Sequence, residues 1–413
     1  MDIRVEQSCP QCGAPVTLSE TSRLLTCPYC GTKNFLQTSS VFRYVLPDKV
    51  EPPERGRLLY APYIRFRGNI FLVSEAGMTC RVVDTTQQGT ILPALPPSLG
   101  VRAQAMKLAR LTAETGGRFL RLSIKTKVIL EKAAQISERS GRSGQVMFHR
   151  AYIGDTVSLI YLPLLRDNNC LFDAVTDTML IDLDRETSLP LQGKPFNPRW
   201  QVNFLPTLCP RCGGDLDGEG DCLVLTCGNC DTAWEIGNDG LRRLQWQILP
   251  GDGDHPLYLA FWKISTRIPA MEIESFADFI NKTNQPVVPR PQWHERPMSF
   301  WIPAFKLRPK IFLRVARQVT IGQWRLDPEK GHVAPNLYPV TLPASEARQA
   351  VKVTLAASAT SPGNIFPFLP QARLRDVKMS LVYLPFADKQ HDWMQPETGA
   401  VIDKNVLRFG RTL

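Results

Sequence analysis

Eight cysteines carry the clearest chemistry in this chain. Cys9 and Cys12 form one Cys-x2-Cys pair and Cys27 and Cys30 another, with 14 residues between the pairs; Cys209, Cys212, Cys227 and Cys230 repeat the pattern at an offset of 200. A tetrahedral metal site needs four thiolates about 2.3 Å from one ion, and two such turns facing each other across a short hairpin supply that geometry. Glycine after the second cysteine of a pair permits the left-handed backbone that turns amides toward sulfur, and Gly13, Gly31 and Gly213 stand there. Asp231 holds the same place in the fourth knuckle, where it tolerates that conformation less well. Four thiols leave no open coordination position, so the expected role is to fold the ribbon. Cys80, Cys170 and Cys222 lie outside metal spacing and read as small buried hydrophobes.

These residues resemble the zinc-ribbon families, which include the ribbons of transcription initiation factors and of many bacterial proteins. The likeness covers about 30 residues in each half and implies two Zn(2+), one per ribbon. Iron is the less favoured metal: Cys-Pro-x-Cys-Gly in both knuckles of the first ribbon is also similar to rubredoxin-like sites. Neither resemblance specifies an activity.

The repeat extends beyond the ligands. Leu24, Leu25 and Thr26 match Val224, Leu225 and Thr226, and both halves hold Gln-Ala-x-Lys (104–107, 349–352) and then Ser-Leu-Ile/Val-Tyr-Leu-Pro (158–163, 380–385). For the element between ribbon and Gln-Ala-x-Lys, residues 62–72 (PYIRFRGNIFL) align on 303–313 (PAFKLRPKIFL), while 257–264 (LYLAFWKI) resembles 59–66; the sequence does not choose between them. The expected fold is α+β and β-rich, an internal duplication in which each copy is a four-cysteine ribbon followed by a β-rich unit with one or two helices. The expected organisation is ribbon 1 at 1–38, unit 1 at 39–188, a Pro- and Gly-containing linker at 189–205, ribbon 2 at 206–238 and unit 2 at 239–413. An insertion is expected at 269–297, with a short helix around 273–280.

Composition agrees with this. A chain of 413 residues exceeds one ordinary domain, and 43% hydrophobic against 21% charged residues supports real cores. Its 34 prolines favour short strands and turns over long helices. Residues 100–115 carry helical spacing, whereas 118–130 alternate, with Leu120, Leu122, Ile124, Val128 and Leu130 on one face and a basic face opposite. The start lacks a secretory pattern and no apolar run is long enough to span a bilayer, so a reducing, cytoplasmic location is the expectation.

The formal charge is +10, or about +6 once each tetrathiolate zinc contributes −2. Residues 99–150 hold 11 Lys or Arg against 3 Glu, a net of +8. Arg118, Arg121, Lys125 and Lys127 on the expected strand, with Arg139 and Arg142 in a Ser- and Gly-rich loop, form the candidate contact for nucleic acid. The same charge would suit an anionic membrane surface or an acidic protein. Five scattered histidines (His149, His255, His294, His332, His391) and the absence of phosphate-loop or nucleophile motifs argue against an enzyme, and Asp167, Asp173 and Asp177 sit in a turn-like stretch. The reading that results is a non-enzymatic scaffold or adaptor that binds other proteins. Nucleic-acid binding is the second reading and iron-based electron transfer the third.

Overall fold

The computed structural model describes residues 3–124, 128, 131, 146–182, 191–237, 240–251 and 255–410. Strands predominate over helices. In the first half, Phe42–Val45 runs parallel to the long strand Met147–Asp167, which pairs antiparallel with Leu58–Ser74; Gly77–Gln88 flanks the latter. Cys170–Asp173 and Thr178–Asp182 continue the sheet from the end of Met147–Asp167. The second half repeats this order with the same senses: Trp246–Ile248 parallel to Arg375–Lys389, then antiparallel Leu257–Arg267 and Ser299–Pro303, with Asp392–Met394 and Val401–Asp403 following.

Register decides the alignment the sequence left open. Tyr161 pairs with Pro62 and Leu162 with Ala61, while the matching Tyr383 pairs with Ala260 and Leu384 with Leu259. Residues 257–264 therefore occupy the place of 59–66. The rival stretch 303–313 leaves a strand end and enters the helix Pro309–Gly322, so its likeness to 62–72 is one of letters and not of position.

Two other expectations are corrected. The helix over 100–115 contracts to one turn, Arg102–Ala105, followed by a strand, Leu108–Arg110, and a 3-10 turn, Ala113–Thr115. Leu108–Arg110 fills a slot between Arg4–Ser8 and Phe42–Val45, and two ladders outweigh a helix too short to hold itself. Val101, at the start of that turn, is 73% exposed. Of the strand expected over 118–130, residues 118–124 hold only Arg118–Phe119 as strand, and 125–127 and 129–130 lie outside the described residues. Phe119 exchanges hydrogen bonds with Lys194 (2.7 and 2.8 Å), after which the chain turns to Gly89, whose carbonyl accepts from Ser123 and Ile124.

The expected linker is docked where it is described: Trp200 stacks on Tyr161 at 6.4 Å, and Asn203–Pro206 pairs with Lys33–Gln37 of the first ribbon. In the expected insertion, Phe276–Lys282 is a helix started by a capping box of Ser275 and Asp278. Helices Pro309–Gly322 and Ala344–Ser358 cover the second sheet, the first of them opening on Pro309 and burying Phe312, Val315, Ala316 and Val319. Ala344–Ser358 also lies against Met147–Asp167, and one apolar core joins Phe71, Val73, Ala151 and Ile153 to the second half. Among the described residues no helix is long and apolar enough to cross a membrane.

Candidate metal centres

Each ribbon begins as backbone chemistry. The N–H of Gly13 donates to the Cys9 carbonyl (2.9 Å), Gly31 to Cys27 (3.0 Å), Gly213 to Cys209 (2.9 Å) and Asp231 to Cys227 (2.9 Å). All four take the left-handed conformation, with φ of 72°, 71°, 74° and 53°. Asp231 thus completes the fourth knuckle as the glycines complete the others. Its side chain supplies a reason for the exception: Oδ1 accepts from the Val333 N–H at 2.8 Å, and its carbonyl accepts from Trp246 Nε1 at 3.0 Å, tying the ribbon to the unit that follows.

The knuckles bring four sulfurs together twice. Cys9, Cys12, Cys27 and Cys30 form one group and Cys209, Cys212, Cys227 and Cys230 the other, the ligand atoms of each lying within 4.8 Å of one another. Cross-knuckle distances are 3.7 Å for Cys9–Cys30 and Cys12–Cys27, and 3.7 and 3.5 Å for Cys209–Cys230 and Cys212–Cys227. These are far too long for disulfides. They match the edge of about 3.8 Å of a tetrahedron with 2.3 Å metal–sulfur bonds, so both groups fit a tetrathiolate ion.

Thiolate is favoured at three of the ligands and opposed at two: Cys12, despite the lowering Ala14 N–H, and Cys227 are pushed up to about 12 by desolvation and by neighbouring cysteine thiols. Without a metal, the Cys30 thiol is held down to about 6, first by the Thr32 hydroxyl and then by the Thr32 N–H. Burial pushes the Cys209 thiol up, but the Thr232 hydroxyl and the N–H groups of Arg211 and Cys212 outweigh it and leave it at about 6. The Asn229 side chain lowers Cys212. Thr32 and Thr232 stand at the same place in the two ribbons, two residues past the last ligand, and lie 3.3 and 3.1 Å from the Cys30 and Cys230 sulfurs. Sequence reading passed over this pair, although the 200-residue offset connects them as it connects the cysteines.

The ribbons also face each other. Leu24 and Phe35 of the first pack with Leu216, Cys222, Leu225 and Trp234 of the second. The Gly220 carbonyl accepts from the N–H groups of Arg23 (2.6 Å) and Leu24 (2.8 Å), and Gln37 Nε2 donates to the Gly237 carbonyl at 2.6 Å. Cys222 is buried in that contact, outside both ligand groups. Cys80 and Cys170 belong to neither group.

Of the expected basic contact, only Arg118 and Arg121 are among the described residues. Arg121 is exposed, and Arg118 donates through Nε to the Gly193 carbonyl at 2.8 Å. Lys125, Lys127, Arg139 and Arg142 lie outside the described residues. The three acids of the turn have separate partners: Asp167 pairs with Arg57, Asp177 with Lys49 at 3.0 Å, and buried Asp173 with Arg102 at 2.5 Å while accepting from the Val175 N–H.

A charged network that sequence reading missed anchors the first ribbon. Glu20 accepts from Arg65 and from the Ser158 hydroxyl, and Arg65 also meets Asp84 at 2.9 Å. Glu20 and Arg65 are 2% and 1% exposed, so this pair is desolvated on both sides. Compared with known proteins, the chain matches no family model, no curated protein and no solved structure.

Proposed function

We propose that this chain is a tandem zinc-ribbon adaptor, produced by internal duplication, whose ribbons brace two β-rich units so that their outer surfaces hold other proteins in a larger assembly. The carrying observation is that the ribbons are tied into the rest of the molecule: each closes around four thiols, they pack on one another, and each is hydrogen-bonded to the unit beside it. Zinc bound there supplies structural cross-linking, since a tetrathiolate site holds chain segments together and leaves no position for a substrate. The repeated strand order and register support the duplication.

The test is a native affinity purification of the full chain from its source cells, split into nuclease-treated and untreated halves. The adaptor reading requires a fixed set of proteins that survives nuclease. Loss of every partner with nuclease, together with recovered nucleic acid, would overturn it in favour of the basic segment 99–150.

A further inference from the structure

Residues 305–325 contain six Lys or Arg and no acidic residue, a denser run than the basic segment singled out above. Helix Pro309–Gly322 turns its apolar face inward and exposes Arg314 and Arg317, one turn apart, on its outer face. With Arg325, just past the helix end, they line a groove of about 580 Å³ whose remaining wall includes Val287, Leu313, Ile321 and Ala357. Among the described residues none of the three arginines pairs with a carboxylate. Arg314 donates to the Val401 carbonyl (3.1 Å) and Arg325 to the Glu397 carbonyl (2.8 Å), so backbone aims both side chains while leaving their charge uncompensated. Val287 and Val288 beside the groove are 47% and 86% exposed.

We propose that this groove binds an acidic peptide segment of a partner protein, with leucine- or isoleucine-type side chains on the aliphatic wall and carboxylates on Arg314, Arg317 and Arg325. The inference deepens the adaptor reading and rests on it. Three guanidiniums lining one groove without a carboxylate partner among the described residues make its wall cationic, and an anionic ligand there gains charge-assisted hydrogen bonds. The volume falls in the range of sites that take a few side chains. A single-stranded nucleic acid would satisfy the charge but wants a bare aromatic platform. The one indole here, Trp324, is covered by the guanidiniums of Arg290 at 4.5 Å and Arg325 at 4.6 Å. The rest of the wall is aliphatic (Val287, Leu313, Ile321, Ala357) with Gln318 and Thr398 beside it, and offers a base no other aromatic face.

The experiment is fluorescence anisotropy of the full, zinc-loaded chain with three labelled probes: a nine-residue peptide alternating glutamate and leucine, its glutamine counterpart, and a dodecamer of deoxythymidine. The groove predicts that the acidic peptide binds, weakens with salt, and loses about tenfold or more in affinity on Arg317→Glu. Arg317→Lys should retain most of the binding. Arg317 has no partner within the fold among the described residues, so an unchanged melting temperature shows that the reversal leaves the fold intact. Equal binding of the glutamine peptide, tighter binding of the dodecamer, or affinity indifferent to Arg317→Glu would each overturn the proposal. Running the nuclease-treated purification with Arg317→Glu separates the two readings. Partners unchanged by that reversal would sink the groove and leave the adaptor standing, whereas a wild-type chain with no nuclease-resistant partners would sink the adaptor itself.

Discussion

Asp231 closes the fourth cysteine knuckle with its backbone and holds the second β-rich unit with its side chain, Oδ1 accepting from the Val333 N–H at 2.8 Å. Replacement by glycine would relieve the left-handed backbone but lose the tie, and the two effects oppose each other. Asp231→Gly should therefore retain two ions per chain and lower stability by about 1 kcal/mol or less. Asp231→Val should do worse, since a β-branched residue resists φ of 53°. Thermal melts with metal analysis on each variant check both expectations.

The Glu20–Arg65 pair predicts a larger effect. Both groups are buried, so Glu20→Ala leaves the guanidinium in the interior with Asp84 as its named carboxylate. Removing one partner of a buried pair costs on the order of 3–5 kcal/mol. Urea unfolding should show that loss, and Glu20→Gln should recover part of it by keeping acceptors for Arg65 and Ser158. A change of a few tenths would mean that the network is dispensable.

Acid should loosen the contact between the halves through His149. Burial first, and the nearby Lys352 second, hold its imidazole down to about 4, and its Nε2 has no hydrogen-bond partner among the described residues. An unfolded histidine titrates near 6.5. As pH falls from about 6.5 to 4, the unfolded chain takes up a proton that the folded chain refuses, so stability is lost across that window, by on the order of 2 kcal/mol. His149→Gln should flatten this part of a stability–pH curve. A wild-type curve already flat between those values would contradict the assignment.

Coupling between the ribbons gives a fourth prediction. The first ribbon's Lys33–Gln37 strand pairs with Asn203–Pro206, and its Arg23 and Leu24 N–H groups bond Gly220 of the second. Cys209→Ser should thus speed zinc loss from the intact first ribbon as well, read as release to a chromophoric chelator. Unaltered release from Cys9, Cys12, Cys27 and Cys30 would show the two sites to be independent.

The cysteine knuckles were legible in the sequence because every ligand lies within two residues or one hairpin of the next, so spacing alone sets geometry. The strand Leu58–Ser74 and its counterpart were legible as letters only. Choosing 257–264 over 303–313 needed the pairing of Tyr383 with Ala260, a contact between residues more than a hundred positions apart. Leu108–Arg110 was misread for the same reason: its helical periodicity is local, and the two strands that claim it are not. Glu20, Arg65 and Asp84 come from three separate segments, and no spacing rule joins them. The arginines of helix Pro309–Gly322 could have been found from charge counting in a shorter window.

The account turns on two tetrathiolate zinc sites, and the most direct measurement is the metal content of the full chain purified aerobically, paired with its visible spectrum. The account predicts two zinc ions per chain and no colour, falling to one or fewer in Cys9→Ser or Cys209→Ser. Iron with thiolate-to-metal absorption, or a folded chain with no bound metal, would contradict it.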